Sequence, residues 1–432
     1  MEGKPARRDF LKGLGAAGAA AYLGLQGGSR GHRAAAANGQ SAVFRMTRCP
    51  IPSGTTDAHA GLDALLELMA VNGYKFFKTT QDHPLGGADG LIDKGDVVLI
   101  KINCQWKFCG ATNTDLLRGL VYRILSHPDG FAGEVVIFEN GQGQGAFNGD
   151  PRAWNTYPGL GAPAGVHVNA EDDTLTVDRL VTQVFAGSPV TSFLLDPLNP
   201  DQNTGVFIGP DDHTTNGFRK ISDVSYPCFT TSRGTRIELK EGIWTGSGHA
   251  SNLKFINMPV LKTHSGGDST YPGGTGITGV LKHMYGVVSM ADGNRSLRHY
   301  SQSGSQCGKM WTLVRAPDLN IVDCIWVAYQ TRHAGYPPST TYRYDMLLAG
   351  FDPVALDYWG SKHLLYPLGG DRQRYHDPDN DPSLINLIRG ARDVINAAGG
   401  IKGQPAVMGD ENILLISASS TVAAKRWQKY GF

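Results

Sequence analysis

Asp96-Val97-Val98-Leu99-Ile100-Lys101-Ile102, then residues 115–125, then Glu134-Val135-Val136-Ile137-Phe138: this run decides the fold. Its first and third pieces are short apolar stretches rich in β-branched residues, the pattern of strands buried on both faces. The piece between them has helical spacing. Strand, helix, strand at this spacing is a βαβ unit, which builds a parallel sheet with a right-handed crossover. Upstream, residues 57–72 read as a helix with Leu62, Leu65, Leu66 and Met69 on one face and Gly73 placed to end it.

Downstream the pattern dissolves between 141 and about 251. Turn clusters such as Asn148-Gly149-Asp150-Pro151 and Asp196-Pro197 alternate there with short strands such as 236–239. A stretch this long should not be one open loop, so it reads as a loop- and β-rich insertion. Regular alternation returns at Leu253, with strands expected over 253–261, 319–328, 345–349 and 413–416. Helices are expected over 278–288, 353–365 and 384–398, with Asp352 as an N-cap before Pro353 and Gly399-Gly400 as a stop. The expected fold class is α/β, a mostly parallel sheet flanked by helices and interrupted by an insertion.

The N-terminus carries an address. Arg7-Arg8-Asp9-Phe10-Leu11-Lys12 is a twin-arginine signature, followed by a weakly apolar Gly/Ala stretch and a small-residue run at Ala34 to Ala37 suited to cleavage. Residues 1–37 are thus read as a signal peptide and 38–432 as the mature domain, exported folded to the periplasm or secreted. The partner this implies is the twin-arginine export machinery. The apolar run is too short and Gly-rich to cross ~30 Å of hydrocarbon, so no stable membrane anchor is expected.

The whole chain has 40 basic and 39 acidic residues, net +1. The leader holds six basic and two acidic residues, so its removal leaves a net charge of −3. A near-neutral surface argues against nucleic acid, which needs a basic footprint. All six cysteines lie beyond the leader, and Cys104 and Cys109 are close enough in sequence to pair in an oxidising compartment. No Cys-x-x-Cys is present, so no iron–sulfur motif and no zinc ribbon is supported. Asp377-Pro378-Asp379-Asn380-Asp381-Pro382 resembles a calcium loop but has Ile388 where the bidentate carboxylate belongs, and it reads as a turn.

Three apolar strands end in polar residues: Lys101 and Asn103 on the first, Glu139 on the second, Lys262 and His264 on the third. Ligands of open parallel sheets bind beyond the carboxyl ends of the strands. Any one of these residues alone has a plainer reading as a solvated rim. Together, on neighbouring strands, they would converge on one crevice. A glycine-rich stretch from Gly266 to Gly279 follows, through Gly276, Thr278 and Gly279 to Lys282 and His283. Strand, glycine loop and helix start is a layout whose N–H groups cradle anions. It is not a Walker loop, because Val280 follows Gly279 and the lysine comes later.

The elements Met258-Pro259-Val260-Leu261-Lys262-Thr263-His264, Thr278-Gly279-Val280-Leu281-Lys282-His283 and Asp352-Pro353-Val354-Ala355-Leu356-Asp357, with the strand Val97 to Asn103, resemble the family called domain of unknown function 362. Ile102 stands where that family usually has Pro, and His283 where it usually has Asn. Many relatives carry a ferredoxin segment that this chain lacks. The resemblance implies a fold and site positions, and no reaction.

The expected function is an exported enzyme acting on a small anionic substrate or cofactor. Lys262 and Lys282 would hold the anion, and His264 would be the acid/base, since an unperturbed imidazole titrates near ~6.5. Crowded lysines repel one another, so one of them could serve as base. Lys101, Asn103 and Glu139 would orient the substrate, with Gly276, Thr278, Gly279, His283 and Asp357 around it. Asp357 could instead bridge to a lysine or ligate a metal. The alternatives are a non-catalytic anion-binding protein, and a metal or redox protein whose ligands are gathered from distant segments.

Overall fold

The βαβ unit is present: after α1 (Ala60–Val71), β2 (Val97–Ile102) and β3 (Glu134–Glu139) run parallel in register, joined through α2 (Thr114–Leu125). It belongs to a computed structural model that describes residues 39–50, 58–104, 108–140, 168–172, 174–199, 203–264, 276–293, 297–330 and 338–420. The leader with its cleavage site, the turn cluster at 148–151 and the glycine-rich stretch 266–275 lie outside the described residues.

The central sheet has ten strands. Its main path begins at β15 (Ile413–Ser419) and continues through β1 (Ser41–Thr47), β14 (Thr341–Gly350) and β13 (Leu319–Ala328). It then passes β10 (Leu253–Met258), β2 and β3 to β4 (Val190–Leu194). β14 runs against both of its neighbours; every other pairing along this path is parallel. Successive residues of β2 alternate between two apolar layers: Val97 and Leu99 face one, Val98, Ile100 and Ile102 the other. Burial on both faces is what the continuous apolar runs required.

Several expectations change in detail. Within 141–251, Val190–Leu194 pairs with β3 and so extends the central sheet. The antiparallel part is a five-stranded sheet of β5 (Gly217–Ile221), β6 (Val224–Thr230), β7 (Arg236–Glu238), β8 (Gly242–Trp244) and β9 (His249–Ala250). Its Phe229 packs against Phe138 of β3 and Phe193 of β4, so it covers one face of the central sheet.

The strand expected over 253–261 breaks at Pro259, which has no N–H to give a ladder. β10 ends at Met258, and β11 (Val260–Thr263) restarts beside the far end of β13. The helix expected over 278–288 is one turn, α3 (Val280–His283), followed by a tighter turn at Met284–Gly286. Thr278 belongs instead to β12 (Ile277–Thr278), paired with Lys262 and Thr263 of β11. α4 (Pro353–Gly360) is capped by Asp352, which accepts from the N–H groups of Val354 and Ala355, and the chain then widens into a π-type turn.

The six cysteines are buried free thiols, so Cys104 and Cys109 are not joined. Asp377 accepts from the N–H groups of Asp379 and Asn380, the turn expected in place of a calcium loop.

Candidate functional site

The strand order has a switch point. From β2 the chain moves outward to β3 and β4, whereas from β10, on the other side of β2, it moves to β13. Ligands of open α/β sheets bind in the crevice at such a reversal, beyond the carboxyl ends of the strands. A polar cavity lies there, lined by Lys101, Asn103, Glu139, Lys262, His264, Thr278, Lys282 and His283, together with Tyr285, Gly286 and His299. It is small: about 20 Å³, where one water needs about 10–15 Å³.

At its floor Lys101 Nζ donates to a Glu139 carboxylate oxygen and to the carbonyl of Ile102, the latter at 2.8 Å. Both side chains are fully enclosed. Burial pushes the lysine down and the glutamate up, each partly opposed by the other's charge. The two shifts share one cause, burial, which disfavours the charged form of each group.

His283 continues the floor. Its Nδ1 bonds Asn257 Oδ1 at 2.6 Å, and Asn257 in turn donates to Asn320 Oδ1 at 3.0 Å. Because the amide oxygen only accepts, Nδ1 carries the proton and Nε2 is the bare nitrogen. Nε2 lies 4.0 Å from Glu139 and has no hydrogen-bond partner among the described residues. Burial first and Lys101 second hold this imidazole well below its ordinary pKa, so it is neutral.

The wall is built by β11 and α3. Lys262 Nζ donates to the carbonyl of Gly110, and Lys282 Nζ donates to His264 Nδ1 at 3.1 Å. Asn103 is a brace: its Oδ1 takes the N–H of Val260 at 2.9 Å, just past Pro259, while its own N–H goes to Thr112 Oγ1 at 2.8 Å. This bond re-anchors the chain where the proline has broken the ladder and aims β11 at the cavity.

Gly276, Gly279 and Asp357 do not line the cavity. Gly276 has φ +73°, and its carbonyl takes the N–H of His264 at 2.7 Å, closing the β11–β12 turn. The start of α3, expected to cradle an external anion, is already filled. Asp357 accepts from the N–H groups of Val280 at 2.6 Å and Leu281 at 2.9 Å. A helix start with an internal carboxylate on its N–H groups has no need of an external anion. Asp357 therefore neither bridges a lysine nor faces the cavity; it seats α3, and so Lys282 and His283.

The sequence assigns no site role to Tyr285, Gly286, His299 or Asn257, although Tyr285 and Gly286 continue the family-like stretch past His283. Tyr285 follows Lys282 by one turn of the chain, which is the signal that could have found it. Asn257 lies mid-strand in a buried run, where no spacing marks it.

Residues 229–362 match the sequence model of a family described as domain of unknown function (DUF362), a span that holds Lys262, His264, Lys282, His283 and Asp357 but not Lys101, Asn103 or Glu139. Residues 4–24 match the twin-arginine translocation pathway signal sequence. No curated protein and no solved structure matches the chain. Among the described residues no helix is long and apolar enough to cross a membrane. Residues 229–362 are thus similar to the DUF362 domain, and the twin-arginine signal sequence marks a protein exported in the folded state to the periplasm or beyond.

Proposed function

We propose that the polar cavity binds a small anion, or the anionic group of a larger molecule, and that His264 with Lys282 is the acid/base pair of an enzyme acting on it. One observation carries this reading: three lysines and a single glutamate line one buried cavity. Beside the Lys101–Glu139 pair, Lys262 and Lys282 bring two more cationic side chains to a poorly solvated place, a setting that favours an anionic ligand. Because His264 Nδ1 accepts from Lys282, the imidazole's remaining N–H, on Nε2, is the proton it can give. The bare Nε2 of His283 is a second group able to accept a proton or a hydrogen bond from a ligand.

A second reading, anion binding without turnover, draws on the size of the cavity, which holds little more than a water. Thermal unfolding of the mature protein in rising inorganic phosphate, sulfate or small carboxylates tests the shared part. A true ligand at about 100 times its Kd stabilises by about 2.7 kcal/mol. That gain should vanish in Lys262→Met and survive in His264→Gln, whose loss should abolish turnover alone. Equal stabilisation of wild type and Lys262→Met by every anion would sink the assignment.

A further inference from the structure

We infer that the antiparallel sheet holds a second site, for a transition-metal dication, formed by His213, Glu238 and His249. It shares no residue with the polar cavity. His213 Nδ1 lies 2.8 Å from Glu238 Oε1, and His249 Nε2 lies 2.7 Å from Oε2. The three donor atoms all fall within 4.8 Å of one another. Ligands around an ion at about 2.0–2.2 Å from each sit roughly 3.0–3.6 Å apart, so the imidazoles, now hydrogen-bonded to the carboxylate, need draw back by less than about 1 Å to admit one.

The sheet places them. Glu238 sits opposite Gly242 in the β7–β8 register, so no side chain stands between it and His249 on the next strand. His213 comes from the loop before β5, and its ring lies flat on Trp244, with centroids 3.6 Å apart and planes 4° off parallel. That stacking fixes the orientation a ligating imidazole needs. The carboxylate is fully buried, while the two histidine side chains are 21% and 24% exposed, so an ion can reach them from solvent.

Arg219 donates to both Glu238 oxygens at 2.6 and 3.1 Å, the outer-shell bonding that holds a ligating carboxylate in place, and its Nη2 also lies 3.2 Å from His213 Nδ1, a contact that a bound ion would displace. Arg236 adds a longer contact, Nε to Oε1 at 3.4 Å. Their charges oppose a dication, so the site should bind more weakly than a closed structural zinc centre. Two imidazoles and one carboxylate suit zinc, copper, iron or nickel, and leave a coordination position open.

The test uses zinc chloride with the mature protein, followed by desalting, metal analysis and a calorimetric titration. Wild type should retain about one equivalent. His249→Ala should bind at least tenfold more weakly, and His213→Ala/His249→Ala should retain none while circular dichroism shows the fold intact. Cobalt(II) should give a visible absorption band in wild type that the double variant lacks. Zinc retention equal in wild type and the double variant, or absent from both, overturns the inference.

Discussion

Replacing Asp357 with asparagine should change how the protein's stability responds to pH. Asp357 is fully enclosed, and burial raises its carboxyl from the ordinary 3.8 to about 7, against the pull of the Val280 and Leu281 N–H groups. Between those two values the folded chain keeps a proton that the unfolded chain has lost. Stability therefore falls as pH rises through about 4 to 7, and the full penalty stands above about 7. A rise from 3.8 to about 7 corresponds to about 4 kcal/mol at ~1.4 kcal/mol per pH unit. An asparagine at this position would carry no charge to bury; its amide oxygen could take one of the two N–H groups, while its NH2 would meet the other, donor against donor. Urea midpoints measured from about pH 4 to 8 should show Asp357→Asn gaining on wild type by up to about 4 kcal/mol across the window. Near pH ~4 it should trail by about 1 kcal/mol, the worth of a weakened hydrogen bond. A difference that stays flat across that range would mean the carboxyl titrates at its ordinary value, and the account of α3 given above would fail.

Other perturbations probe the cavity floor. Lys101→Met leaves the Glu139 carboxylate buried without its cation and should cost about 3–5 kcal/mol, with the loss reduced in Lys101→Met/Glu139→Gln; denaturant midpoints of the cycle decide it. Gly286→Ala should destabilise by more than the usual ~1 kcal/mol of a point change, because a Cβ there would stand 2.5 Å from Lys101 Cε and 2.8 Å from Glu139 Oε1. Its thermal midpoint should recover when Lys101 is shortened at the same time, and a wild-type midpoint in the single variant would show that the floor is slack.

The central architecture was legible because parallel strands buried on both faces leave long apolar runs with turn residues between them. The same property exposed the polar strand ends. Lys101, Glu139 and Lys262 stand out only because the preceding residues are apolar; Lys101 and Glu139 converge because β2 and β3 are adjacent and parallel, and Lys262 joins them from β11, where the chain restarts past Pro259. β1 escaped notice. Ser41–Thr47 includes Arg45, whose buried charge is accommodated by Ser417 Oγ at 2.8 Å and the Trp359 ring at 5.5 Å, partners that sequence does not announce. The role of Asp357 escaped for the same reason, since the N–H groups it serves lie 76 and 77 residues away. The His213–Glu238–His249 cluster is gathered from a loop and two short strands, with no compact spacing to mark it.

β1 lies between β14 and β15, and Ser41 pairs with Ile413 across most of the chain. Loop closure over such a length is entropically late, so this pairing belongs among the last contacts to form. It also begins only a short way after the signal sequence. Until residues 413–419 have been synthesised and docked, β1 has one flank bare, and an exposed strand edge invites wrong partners. The address label is thus fastened to the part of the sheet that is finished last. A transport route that accepts only folded cargo would, in this protein, be reading its completion at the strand nearest the label itself.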